Sequence, residues 1–419
     1  MRIRPQFGLW ALAVLIVAAG GVVLSQIDKN HDTDPSIESD PSTMPTDATG
    51  GTSTTTPPSS TVAPETRNGW VRVPEPPLTP RNDAVAAWTG SEVIVFGGAE
   101  GTVECEGSGC GHLDLPASTD GAAYNPQTRT WRPIAPAPLA ASRSPPPVMI
   151  GDDLYVIAEV HDYLDWTISG ILRYRVSEDA WSVIPPPADE LSLALNLANG
   201  GGQLVAYEYI SYENPPRIWH WDDRASSWEL MPTTDTGPRE LRWMAWLNGH
   251  LHAFWQPAHA DGDPASAMRV ARLEAENETW EELPSGPPGA SIGFVLGEQV
   301  FIEPPFSDET VNVIFDGRTE RWTEIPDMPA LPGRSNLFAG LIGRDTSVFN
   351  HPLGAAFDLD ERRWVQIRDL YEDSTKDLGT FAAAGRGLFA YGGLQWRASE
   401  DPRLGKPIND AWMWQPPPP

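Results

Sequence analysis

The chain has 419 residues, 43 of them proline and 37 glycine, and 21 % are charged; a sequence so rich in turn formers leaves little room for long helices. Its formal net charge is −28, from 57 acidic and 29 basic residues, a field that repels polyanions and so disfavours nucleic acid as a partner. The length fits one large all-β domain with appendages.

Residues 1–6 carry Arg2 and Arg4, and an uncharged run from Phe7 to Leu24 follows. Such a run just spans a hydrocarbon core of about 30 Å, and the arginines before it place the N-terminus in the cytoplasm. Residues 7–25 are therefore expected to be a transmembrane signal anchor, with a cleaved signal peptide ending near Val23-Leu24-Ser25 as the alternative. Either way the bulk of the chain is expected outside the cytoplasm, at the cell membrane or secreted. Residues 26–67 are rich in Ser, Thr, Pro, Asp and Gly and bury too little to offset ordering entropy, so they read as a disordered linker. Such a tether lets residues 68–419 range roughly 30–40 Å from the membrane.

From Asn68 onward a repeat sets the organisation. Its anchor is a tryptophan, at Trp131, Trp181, Trp228, Trp280, Trp322 and Trp364. Seven residues earlier stand Tyr124, Tyr174, Trp221, Leu273, Phe315 and Phe357; three residues later stand Ile134, Ile184, Met231, Leu283, Ile325 and Ile367. Proline often follows next, as at Pro185, Pro232, Pro284 and Pro326. Each unit reads as a strand, a tight polar turn and a second strand. Two further strand candidates precede it, joined by a glycine-centred turn; in the first repeat they are Ala84 to Trp88 and Val93 to Phe96. Four short strands per repeat of about 50 residues are the blade of a β-propeller.

Arg81 ahead of the first strand, the doublets Gly97-Gly98 and Gly392-Gly393, and the aromatic seven residues before Trp together resemble the kelch family. The resemblance covers Asn68 to Gln415; the doublet survives only in the first and last repeats, so the middle ones are divergent. The last repeat ends at Trp414, the position seven before a tryptophan the C-terminus lacks, while Trp70, Val73 and Pro74 supply that missing unit at the other end. The expectation is a seven-bladed kelch-type β-propeller whose N-terminal strand completes the C-terminal blade and leaves no open edge. The seven tryptophans are expected between blades, each removing about 200 Å² from water, an upper limit of roughly 5 kcal/mol.

Connections between second and third strands are long: Ala99 to Thr119, Val160 to Ser169, Tyr209 to Arg217, Gln256 to Ser266 and Leu394 to Ile408. They share one face, which is the expected binding surface. Its candidate residues are His161, Tyr163, Asp165, Trp166, His259, Asp261, Asp263, Trp396, Arg397 and Arg403, a mixture suited to sugars or peptides. Cys105 and Cys110 are the only cysteines and read as a disulfide in an exported chain; a metal site with His112 lacks a fourth ligand nearby. Arg81, Arg143, Arg239 and Arg334 each open an inner strand, either ringing a channel mouth or bonding neighbouring carbonyls. Trp243, Trp246, Trp255, His250 and His252 read as core.

No phosphate loop, nucleophile elbow or zinc helix is present in the sequence, and no metal or cofactor is expected. The leading reading is a membrane-tethered, monomeric, non-catalytic binding module for protein or glycan. The kelch resemblance also implies an enzymatic alternative, resembling a sialic-acid epimerase with its site at the channel mouth. A copper-radical galactose oxidase fits less well, because such an enzyme takes a ligand from an additional C-terminal domain.

Overall fold

The computed structural model describes residues 63–106, 109–111, 117–141, 145–162, 165–188, 191, 195–208, 210–211, 216–233, 239–257, 267–274, 278–286, 292–303, 312–327, 340–349, 354–371, 376–396 and 404–418, some strand ends as backbone only. They all belong to one unit, Ala63–Pro419. The expected anchor at 7–25 lies outside them.

The described residues form strands and no helix. β1 (Thr66–Arg67) and β2 (Trp70–Arg72) open the chain. The first blade holds β3 (Val85–Trp88), β4 (Val93–Phe96), β7 (Gly121–Asn125) and β8 (Thr130–Ile134); β5 (Val103–Glu106) and β6 (Gly109–Gly111) form an excursion from it. The second holds β9 (Val148–Ile150), β10 (Asp153–Asp162), β11 (Asp165–Arg175) and β12 (Ala180–Ile184). The third holds β13 (Leu195–Asn199), β14 (Leu204–Glu208), β16 (Ile218–Asp222) and β17 (Ser227–Leu230), with β15 (Ile210–Ser211) crossing to the fourth. The fourth is β18 (Arg239–Leu247), β19 (His250–Pro257), β20 (Arg269–Glu274) and β21 (Thr279–Leu283). The fifth is β22 (Ile292–Leu296), β23 (Gln299–Glu303), β24 (Val313–Asp316) and β25 (Arg321–Glu324). A further sheet contains β26 (Gly340–Ile342), β27 (Ser347–Phe349), β28 (Gly354–Asp358) and β29 (Arg363–Ile367). The last blade runs β30 (Lys376–Ala384), β31 (Gly387–Trp396), β33 (Ala411–Trp414), and β32 (Leu404–Pro407) is its excursion.

Six of these sheets are antiparallel four-strand meanders, the blades of a β-propeller; the last becomes one because β2 pairs with β33. The sheet at β26–β29 departs from the expected meander. Its order is β27-β26-β28-β29, with β26 parallel to β28. Gly340 lets β27 approach: its φ is +142°, and a Cβ there would fall on the Val348 carbonyl oxygen. Innermost strands neighbour one another in the order β3, β9, β13, β18, β22, β27, β30, and β30 lies beside β3.

The repeat found in the sequence is a register. Tyr124, Tyr174, Trp221, Leu273, Phe315, Phe357 and Trp414 stand directly opposite Trp131, Trp181, Trp228, Trp280, Trp322, Trp364 and Trp70. The turn between the strands follows from local chemistry. Asn125, Asp222, Asp316 and Asp358 accept the backbone N–H groups two and three residues on. The residue two before each tryptophan then takes a positive φ, as at Arg129, Asp179, Ser226, Glu278, Glu320 and Arg362.

Burial differs from the sequence expectation. The aromatic partners and the aliphatics at +3 form the apolar layers between sheets, whereas six of the tryptophans are only half-buried; Trp70, 1 % exposed, is the exception. What demands an indole at all seven places is a hydrogen bond. Each Nε1–H donates to the carbonyl four residues after the preceding repeat's tryptophan: Trp131 to Pro74, Trp181 to Ala135, Trp228 to Pro185, Trp280 to Pro232, Trp322 to Pro284, Trp364 to Pro326 and Trp70 to Arg368, all at 2.7–2.9 Å. Proline suits the accepting position because it lacks an N–H that would need a partner of its own.

The first described strand lies inside the stretch expected as linker. Thr66 and Arg67 pair with Val71 and Trp70 around Asn68-Gly69, both with positive φ, the two-residue hairpin turn that Asn-Gly favours. Asn68 Nδ2 donates to the Asp369 carbonyl at 2.7 Å.

His252 sits in the layer between the fourth and fifth blades, fully buried against Phe315, with Nδ1 3.1 Å from the His250 carbonyl. Burial pushes its pKa down, while the His250 carbonyl and then Glu320 work in the opposite direction; the His250 ring and Arg272 are the other titratable groups beside it. As pH falls below the ordinary 6.5, the unfolded chain takes the proton before the folded one, so stability is lost. The urea midpoint is expected to fall between pH 7 and pH 5, and His252→Leu to flatten that slope. An unchanged slope in the variant would remove His252 from the account.

Candidate functional site on the loop face

Where they are described, four of the long connections contain strands; all but the first two residues of Gln256 to Ser266 lie outside the described residues. The Val160 to Ser169 stretch continues β10 and β11 to their tip, where His161 is opposite Trp166 and Asp162 opposite Asp165. Tyr209 to Arg217 contains β15, which pairs with the start of β18 at Arg239 and Glu240. The first-blade excursion β5–β6 meets the last-blade excursion β32, so that β31-β32-β5-β6 runs across the seam between the last and first blades. Trp396 belongs to this strip. It stands opposite Gly405, and a Cβ on Gly405 would lie 2.9 Å from its ring. Glycine there is what lets the indole lie flat across β32, so Trp396 packs the strip, half-buried, beside Leu394. Tyr163, His259, Asp261, Asp263, Arg397, Arg403, Arg143 and Arg334 lie outside the described residues, as do the side chains of His161, Asp165, Trp166 and Arg239.

Arg81 is fully buried at this seam. Its Nε donates to the Thr79 carbonyl at 3.1 Å. Nη1 donates to the Gly97 carbonyl at 3.1 Å and to Asp120 Oδ1 at 2.6 Å. Nη2 reaches Thr79 Oγ1 at 2.7 Å, Glu100 Oε1 at 3.2 Å and Asp120 Oδ2 at 3.3 Å. Of the two roles open to it, Arg81 takes the second: it bonds carbonyls and carboxylates and offers no spare charge to a channel. The Arg81 bond, then Ser118, holds the Asp120 carboxyl below its ordinary range against burial.

Backbone bonding also identifies a counterpart of Arg81. Gly97 N–H donates to the Asp120 carbonyl and Gly98 N–H to Ala141; Gly392 N–H donates to the Asp410 carbonyl and Gly393 N–H to Arg81. The two doublets thus cradle equivalent links, and the counterpart of Arg81 before the second blade is Ala141, fully buried.

The same equivalence pairs Asp120 with Asp410, and Asp410 is the hub of a second cluster. It accepts Arg72 Nη2 at 3.0 Å, Lys376 Nζ at 3.0 Å and the Tyr371 hydroxyl at 2.9 Å. Burial raises the Asp410 pKa, but Lys376 and Tyr371 outweigh it and the net shift is downward. Burial, then the neighbouring Asp410 charge, pushes the Tyr371 hydroxyl up. Lys376 lies over the Tyr371 ring at 5.2 Å and Arg67 at 5.9 Å. The N-terminal hairpin is thereby held to both neighbouring sheets by charge as well as by β pairing.

Sequence reasoning missed Asp120, Asp410, Tyr371 and Lys376. One signal was present: an aspartate precedes the third strand in the first and last blades, the two repeats that keep the glycine doublet. Cys105 and Cys110 are direct Cα partners across β5 and β6; their side chains lie outside the description. Among the described residues no group of His, Cys, Asp and Glu could hold a metal ion, and the seam's carboxylates are engaged by Arg81, Arg72 and Lys376.

The chain is a β-propeller. Neither protein-family models nor curated proteins give a match to it.

Proposed function

We propose that this chain is a kelch-type propeller of seven blades, closed by its N-terminal strand and acting as a non-catalytic binding module for a protein or glycan. Closure is supported by the pairing of Trp70 with Trp414 and by indole bonds that return, through Trp70 and Arg368, to the start of the repeat. On this reading the sheet β26–β29 is the seventh blade with its inner strands exchanged. Residues 7–25 anchor it in the membrane and the linker up to the start of the fold holds it outside the cytoplasm.

The observation that carries the binding role is the asymmetry of the two faces. Tight turns such as Gly151-Asp152 and Asn248-Gly249 cover one, while the other carries the β10–β11 tip, β15 and the strip across the seam. Extended strands on a rigid scaffold offer edges and side-chain rows that bind extended ligands. The full chain is to be tested by glycan array and by pull-down. Trp166→Ala and His161→Ala, at the β10–β11 tip, are expected to lower affinity at least about tenfold, the ordinary weight of an interface anchor, with the melting temperature unchanged. A partner mapping to the short turns around Gly151 or Gly343 would refute the assignment.

A further inference from the structure

The strip β32-β5-β6 carries an unequal distribution of support. At its base the excursion is fixed: Asn82 and Ala99 exchange backbone bonds of 2.9 and 2.8 Å, and Ser118 N–H donates to the Gly98 carbonyl at 2.9 Å. At its tip, among the described residues, β5 meets β32 through Leu404 opposite Glu104 and Gly405 opposite Val103. Among the described residues β6, which consists of Gly109-Cys110-Gly111, has no further strand beside it. Glycines lose most entropy on ordering, and a short isolated hairpin is marginal in water. Something must hold this tip if β32 is to stay paired across the seam.

Cys105 opposite Cys110 is placed to do so. Directly opposed residues of an antiparallel pair have Cα atoms about 4.5–5.5 Å apart, inside the roughly 4.4–6.8 Å that a disulfide spans. We propose that this pair is a redox-operated latch on the loop face. Oxidised, it fixes β5–β6 and through it β32; reduced, it frees the strip and reshapes the binding surface, while β2 and β33 keep the fold closed at the rim. In oxidation each thiol loses a proton, the S–S bond forms, and two electrons pass to an oxidised disulfide of the thiol-exchange class, which becomes a dithiol; reduction is the reverse. The inference rests on the proposed loop-face binding only for its consequence, not for the latch itself.

The experiment equilibrates the full chain with oxidised or reduced glutathione, blocks free thiols, and reads intact mass and hydrogen exchange. Under oxidised glutathione no thiol should be blocked. On reduction, peptides covering β5, β6 and β32 are expected to exchange on the order of tenfold faster, with β2 and β33 unchanged. The double variant Cys105→Ser, Cys110→Ser should match the reduced protein in both buffers. Two blocked thiols under oxidising conditions would overturn the bond. A bond present with β32 exchange unaffected by reduction would overturn the latch and leave the binding face to stand or fall by the affinity variants.

Discussion

Trp70→Ala is expected to destabilise the propeller by about 3–5 kcal/mol, the range for truncating a fully buried tryptophan. Three losses coincide at this one residue. The ring is 1 % exposed and packs with Trp412, Trp414, Val365 and Leu388 in the layer between the β26–β29 sheet and the last blade. Its Nε1–H loses the Arg368 carbonyl at 2.9 Å. And β2, only three residues long, depends on it to stay paired with β33. Trp70→Phe separates these contributions, because it keeps most of the ring and loses the bond, and should cost about 1–2 kcal/mol. Trp322→Ala is the comparison: the same register and the same bond to a carbonyl, here Pro284 at 2.8 Å, but a half-buried ring on a rim strand. It should cost less than Trp70→Ala. Chemical unfolding of the three variants measures the order, and equal costs for Trp70→Ala and Trp322→Ala would mean that burial at β2 carries no special weight.

That comparison also shows how the sequence was readable and where it was not. Spacing located the strand pairs because an antiparallel hairpin with a fixed turn places the same two positions opposite each other every time; Phe315 and Trp322 could not be seven apart by chance in one repeat after another. Function of the tryptophan was misassigned, since composition cannot distinguish a ring needed for area from one needed for its N–H. The partner carbonyl, four residues beyond the previous tryptophan, belongs to another repeat, and only the packing of sheets brings it near. β1 was missed although Asn68-Gly69 announced it, because two exposed strand residues have no apolar pattern. Exchange of β26 and β27 left no trace in spacing, as both orders use the same turn at Gly343. Loop-face readings fared according to length scale: which connections were long was legible, but not that β5 would pair with β32, some 300 residues away in the chain. Arg81 bonds the Thr79 and Gly97 carbonyls, and the bonds from Gly98 and Gly393 make Ala141 its counterpart, an equivalence that spacing alone does not show.

Gly97→Ala should be the other severe substitution, and its cause is backbone geometry. Gly97 has φ +68°, where a non-glycine residue costs about 1–2 kcal/mol. An added Cβ would fall on the Ala141 carbonyl oxygen, the acceptor of the Gly98 N–H at 2.9 Å, so the methyl group cannot be accommodated while that bond survives. Displacing the Ala141 link disturbs the packing of Ala141 with Phe96 and Leu154 between the first and second blades. Moving Gly97 itself withdraws the carbonyl that accepts Arg81 Nη1 at 3.1 Å and leaves a donor of a fully buried guanidinium short of a partner. A total on the order of 3–5 kcal/mol is expected. Gly151→Ala supplies the control: its φ is +59° and a Cβ there meets nothing within 4 Å, so it carries the conformational cost alone, about 1–2 kcal/mol. Thermal unfolding of both variants measures the difference, which belongs to the close approach of the Ala141 link. Should the two melt together, the glycine doublet would be a matter of backbone conformation only, and the cradle it forms for the Ala141 link between the first and second blades would have no energetic weight.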